Sequence, residues 1–253
     1  MLPLTNEDKK ARSLCGLPIP VAGIDIHPLK LVDVLTIGEN LYHYYLTTIV
    51  MLKKMMEIQS NLTAEELVEI DEFALLLYLA QHHPSFIQEI KRAIEYFLKP
   101  NRQIIFDVEK AKIFVYEIEE GERILVGYFD KNSYDEFIGV IKHQNYVGVD
   151  ETEDERPADE ATRILLEQRK KAREAVAKAK GEQGEKLSLA DYISIINAKS
   201  LNVKADFLNV TVYSFYNYLE RLMIIENYDV TLRQILAGVD PKKVKLKHWA
   251  TKL

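Results

Sequence analysis

The residues that could do chemistry in this chain of 253 are six histidines, one cysteine and a surplus of carboxylates. His82 and His83 are neighbours, so on a helix their rings diverge. No Cys pair and no His-Glu-x-x-His run stands elsewhere to complete a zinc site. Cys15 would be a nucleophile only beside a base, and it lies in a proline-bearing segment ill suited to holding one in place. Neither glycine-rich phosphate template occurs. The paired acids Glu65 and Glu66 fall near an expected helix start, where the macrodipole favours negative charge without any catalysis. No catalytic, cofactor-binding or metal-binding residue is nominated, no cofactor is expected, and the expectation is a protein that binds and is not an enzyme.

Residue types suited to binding are denser. Tyr42, Tyr44 and Tyr45 stand close to Met51, Met55 and Met56. Methionine is flexible enough to line a groove that accepts varied helices, and equally able to fill irregular core space. The carboxy-terminal block from Lys204 to Trp249 is the second concentration. Val212, Phe215, Tyr216, Leu219, Leu222 and Met223 recur at helical spacing, and Thr211 is placed to cap them. Asn227, Tyr228 and Asp229 break that pattern. Val230, Leu232, Ile235 and Leu236 then predict a shorter helix stopping at Gly238, with Pro241 just beyond. From Pro241 to Trp249 lysines alternate with Val and Leu. Trp249 either anchors a partner or folds back over the two helices, and burial is the commoner fate of a lone tryptophan. The candidate partner-binding residues are Tyr42, Tyr45, Met55, Tyr213, Tyr216 and Trp249.

The elements that must position these residues follow from periodicity. Residues 1–28 read as an arm, because Pro18 and Pro20 disfavour a helix, with a short extended piece at 21–26. Helical patterns fill 29–98. One face carries Leu31, Val34, Leu35, Leu41, Tyr45, Thr48, Ile49, Leu52 and Met56. A second helix, capped by Thr63, turns Leu67, Ile70, Ala74, Leu77 and Tyr78 inward. A third, after Pro84, turns in Ile87, Ile90, Ile94 and Phe97. Ile104 to Phe106, then Ile113 and Val115, the turn at Glu120-Gly121, and Ile124 to Tyr128 predict a small antiparallel sheet. A helix carrying Phe137, Ile138 and Ile141 follows, starting at Asn132 or Ser133. The acidic run from Asp150 and the Ala-, Glu- and Lys-rich stretch to Gly184 predict a charged helical spacer. Leu189, Tyr192, Ile193 and Ile196 then open the last set of helices. The expected fold class is mainly α (α+β): an arm at 1–28, an α+β domain at 29–149 built as a helical bundle with a small antiparallel sheet, a charged linker at 150–186, and a small C-terminal helical domain at 187–253.

Composition narrows the function. A formal net charge of −6 argues against general affinity for nucleic acid, which usually shows as a basic excess. The single Cys15 rules out a disulfide within the chain. Charged residues Glu7 to Lys10 precede any apolar run, unlike a signal peptide, and the most apolar stretch, Phe73 to Ala80, is too short to span a bilayer.

The run from Asp206 to Tyr216, continuing through Glu226-Asn227-Tyr228-Asp229-Val230 to Leu236-Ala237-Gly238-Val239-Asp240 and Lys247-His248-Trp249, resembles the end of tail assembly chaperones from tailed bacteriophages of Gram-positive hosts. That resemblance implies a non-enzymatic factor, and the lack of a signal-like or membrane-spanning stretch sets the expected location as the host cytoplasm, with no membrane contact. Such a factor coats the tape measure protein and helps tail tube protein subunits assemble around it, and it could itself form a homo-oligomer. It also implies that a spacer like 150–186 could be the join between a short form and a frameshifted long form. Two other readings stand beside it. One is a structural virion subunit of the baseplate or connector. The other is a nucleic-acid-binding regulator using Lys242, Lys243, Lys245 and Lys247.

Overall fold

The computed structural model describes residues 4–59, 70–98, 101–147, 187–199 and 207–240, together with 244, 248 and 250. Over these residues the protein is mainly α-helical with a small antiparallel sheet, the expected class. Its contacts divide the chain into two compact units, Met1–Val147 with Asp206–Leu253, and Gly148–Ala205.

The first surprise is at the amino terminus, where the expected arm contains a helix, α1 (Asn6–Cys15). Thr5 and Asp8 form a reciprocal capping box, and Gly16 at φ 73° closes the helix in the left-handed conformation that glycine accepts readily. Pro18 and Pro20 lie beyond that stop, so they do not oppose it. They flank and enter a tight hairpin of β1 (Ile19–Val21) and β2 (Ile24–Ile26). Ile19, Val21, Ile24 and Ile26 are all buried, so this segment is core.

Helices α2 (Leu31–Ile37), α3 (Glu39–Val50) and α4 (Leu52–Gln59) follow as three pieces separated at Gly38 and Met51. Leu31, Val34, Thr48, Ile49, Leu52 and Met56 are buried as their spacing predicts, whereas Leu35 and Leu41 face outward. Then come α5 (Glu72–His82), capped by Asp71, and α6 (Pro84–Leu98). In α5 the buried residues are Phe73, Leu75, Leu76, Leu77 and Leu79. Ala74 and Tyr78, expected inward, are exposed, because the helix offers two overlapping apolar stripes and the bulkier one wins the core. The proposed cap Thr63 and the inward Leu67 lie outside the described residues. In α6, Ile87, Ile90, Ile94 and Phe97 are buried together with Ala93 and Leu98, as expected. Each large side chain so buried contributes about 1.5–3 kcal/mol.

The sheet has the order β3 (Arg102–Asp107), β4 (Lys112–Glu119) and β5 (Glu122–Phe129), antiparallel throughout. Its β4–β5 turn has positive φ at both Glu120 and Gly121, the backbone hand that matches strand twist in a two-residue hairpin. Gly127 is required by proximity: a Cβ there would stand 3.0 Å from the Ile24 side chain. Strand β5 can therefore lie directly on the amino-terminal hairpin. Asp130 caps α7 (Lys131–Gln144), slightly earlier than the expected start. Phe129 stacks on Phe137 and Tyr134 tilts against Phe73, joining sheet, α5 and α7 in one core. Two buried polar side chains of this core reach backbone carbonyls, Gln144 donating to Ile26 at 3.0 Å and Arg102 to Asp25 at 2.9 Å, while the Arg102 Nε has no hydrogen-bond partner.

The unit Gly148–Ala205 is described only over α8 (Leu189–Lys199) and the residues before it, where Leu189 and Ile196 are buried. The expected spacer at 150–186 lies outside the described residues. A 3-10 turn (Phe207–Asn209) then leads to α9 (Val212–Leu236), which belongs to the same unit as α1–α7. Sequence reading predicts two helices here, and the structure has one, 25 residues long. Asn227, Tyr228 and Asp229 are weak helix formers, but none is Gly or Pro, and each costs at most about 0.7 kcal/mol in a helix. They lower the propensity without stopping the chain. The stop comes at Gly238, whose N–H donates to the Ile235 carbonyl while that of Val239 donates to Gln234, the bonding pattern of a Schellman motif.

Candidate protein-binding surface

Helix α9 is held at its beginning. The segment before it pairs with the entry to α2, the Leu31 N–H donating to Val210 and the Val212 N–H to Leu29, at 2.9 and 2.8 Å. Between these bonds Lys30 and Thr211 form an isolated antiparallel bridge. The Thr211 hydroxyl accepts from the Ser214 N–H and donates to the Ser13 carbonyl at the end of α1. Ser214 in turn donates to Leu14 at 2.9 Å. One threonine thus caps α9 and ties it to α1, across about two hundred residues of sequence.

Aromatic packing completes the seat. Tyr213 lies 4.8 Å from His143 and 5.3 Å from Tyr146, ring to ring, and Tyr146 also stacks on Tyr216. The Tyr146 hydroxyl donates to Glu220, and both that contact and burial raise the phenol's pKa. Burial pushes the His143 imidazole below its usual pKa, so the ring stays neutral near pH 7. Val212, Tyr213 and Phe215 are buried, and no later residue of α9 is.

Beyond that seat the helix is apolar on more than one side, yet exposed. Met223 (56% exposed) and Val230 share one side, seven residues apart, with Leu219 half-buried nearby. Tyr218, Ile225, Leu232 and Leu236 (79% exposed) share another. A surface helix normally confines its apolar residues to the one stripe that faces the core, and α9 carries exposed apolar residues on two sides.

The nominated residues scatter across this picture. Tyr42 is 3% exposed in α3, its hydroxyl donating to Asn145 at 3.0 Å, so it spends its side chain inside the core. Tyr213 is equally buried, in the α9 seat. Tyr45 is half-buried against Tyr96, and Met55 is half-buried on α4. Tyr216 is half-buried at the point where α9 leaves the body. Trp249 and the lysines 242, 243, 245 and 247 lie outside the described residues. Sequence reading missed the Tyr218–Leu236 side, whose signal was the seven-residue step from Tyr218 to Ile225 to Leu232.

Among the described residues, surface clefts also lie elsewhere. One, of about 210 Å³, is lined by Ile87, Lys91, Ile105 and Phe106, and another sits beside Glu119, Glu120 and Glu122 at the β4–β5 turn. Neither sets a nucleophile beside a base. Among the described residues, no group of three His, Cys, Asp or Glu side chains is placed to hold a metal ion, and no helix is long and apolar enough to cross a membrane. Cys15 is exposed at the end of α1, and His82 and His83 both lie near the Tyr78 ring.

No curated protein and no solved structure matches the chain. Residues 178–253, which include α8 and α9, match the family described as the YomV second domain, a phage-associated name that supports a phage protein.

Proposed function

We propose that this chain is a phage tail assembly chaperone of the host cytoplasm, acting by binding and without catalysis. The observation that carries this reading is α9, anchored through its first turns and exposing apolar side chains along the rest of its length. Support comes also from the resemblance over 204–249, which falls inside the span matched by a phage-associated family. In this reading apolar surfaces of the body cover helical stretches of the tape measure protein by helix-in-groove contact. The Met223 and Val230 side of α9, adjoining Tyr216, recruits tube subunits.

Because Thr211 and Phe215 belong to the body, deleting the whole C-terminal region would damage the fold as well as the binding surface. A double substitution, Met223→Asp with Val230→Asp, removes apolar surface and leaves that seat intact. Co-expressed with the two partners, the wild-type chain should retain both tape measure and tube proteins. The double variant should retain the tape measure protein and lose the tube. Unchanged tube recruitment rejects the division of labour, and failure of the wild type to retain the tape measure protein rejects the chaperone reading. Mass spectrometry of purified virions supplies an independent check: a chaperone is absent from them, whereas finding the chain there identifies a structural subunit.

A further inference from the structure

We propose that two copies of this chain pair antiparallel through the Tyr218–Leu236 side of α9, with Ile225 at the two-fold axis. This goes beyond the chaperone reading and stands or falls separately, since it uses the side of α9 away from Met223 and Val230.

The argument is one of self-complementarity. Tyr218, Ile225 and Leu232 recur every seven residues, the spacing of a two-helix seam, and all three are exposed. Arg221 and Asp229 flank that seam, four residues before and four after Ile225. They are eight residues apart on one helix, about 12 Å along its axis, too far to pair with each other. The sign of charge therefore reverses about Ile225. A parallel copy would set Arg221 on Arg221 and Asp229 on Asp229. An antiparallel copy centred on Ile225 sets Arg221 opposite Asp229 twice. The same register places Tyr218 against Leu232 and Ile225 against itself, so apolar and ionic layers alternate symmetrically.

The end of the helix fits this register too. Leu236, the most exposed apolar side chain on the seam, comes level with Ser214 of the second copy. Ser214 is bonded to the Leu14 carbonyl, and Leu14 is itself an exposed apolar residue. An isologous contact of this kind closes on itself and yields a dimer without open-ended assembly.

Sedimentation velocity of the full chain over a concentration series tests this, with circular dichroism to check that each variant keeps its helix content. The wild type should form a dimer. Arg221→Asp and Asp229→Arg should each weaken self-association by more than about tenfold, because like charges then face across the seam. An equimolar mixture of those two single variants should dimerise again, and so should the chain carrying both substitutions. A monomeric wild type overturns the proposal and leaves this side of α9 to a different protein. A dimer indifferent to both charge reversals overturns it as well, by placing the interface elsewhere.

Discussion

Helices α6 and α9 have similar apolar content and opposite fates. In α6, 15 residues long, Ile87, Ile90, Ala93, Ile94, Phe97 and Leu98 form one stripe, and all are buried. In α9, 25 residues long, only Val212, Tyr213 and Phe215 are buried. The first helix belongs to the body along its whole length, while the second is held to it through its first turns, from Val212 to Glu220. Apolar residues confined to one stripe build a core, whereas apolar residues spread round a helix exceed what one neighbour can cover. The surplus on α9 stays at the surface, and the proposed function rests on it.

Mutations should separate the two helices by their effect on stability. Ile94→Ala, at a fully buried site in α6, should cost about 2–5 kcal/mol in urea unfolding, from lost burial and the cavity left behind. A loss below 1 kcal/mol, roughly the level of an exposed site, would mean α6 is not the core helix described here. Thr211→Val should cost about 1–2 kcal/mol by removing both the cap of α9 and the bond to Ser13. An unaltered midpoint would show that α9 is not seated through this residue.

The α9 seat also carries a pH dependence. Burial lowers the His143 pKa, so the unfolded chain takes up a proton that the folded ring refuses. The stability this represents is whole above the unfolded pKa of about 6.5 and declines as pH falls from there toward the depressed folded value. His143→Gln should flatten that decline in unfolding midpoints measured between pH 7 and 5, roughly the range over which an ordinary histidine titrates. An identical slope in the variant would assign the proton uptake to another group. The smallest effect belongs to Leu236→Ser, at the exposed end of α9, which should change stability by no more than about 0.5 kcal/mol. That holds at concentrations low enough to keep the chain monomeric, and a large loss there would mean the helix end packs against its own chain.

What the sequence disclosed follows the same division. The stripe of α6, the hairpin turn at Glu120-Gly121 and the Thr211 cap were legible because each depends on neighbours within a few residues. The continuity of α9 through Asn227-Tyr228-Asp229 was not, since weak propensity resembles a break when no Gly or Pro marks one. Helix α1 was obscured by Pro18 and Pro20, although its Thr5–Asp8 capping box was there to be read. The pairing of Leu29–Leu31 with Val210–Val212 joins segments far apart in the chain, and no local pattern announces such a contact. For the same reason Tyr42 and Tyr213 looked like binding residues in sequence and occupy the interior in the fold.

Hydrogen exchange read residue by residue along α9, in dilute chain and again with tape measure and tube proteins added, addresses the central claim most directly. Amides from Phe215 to Glu220, like those of α6, should exchange slowly in both conditions. Amides from Met223 to Leu236 should exchange fast in the dilute chain and slow markedly when the partners are present. Protection already uniform along α9 in the dilute chain, or exchange at Met223 to Leu236 that saturating partners leave unchanged, would contradict the account.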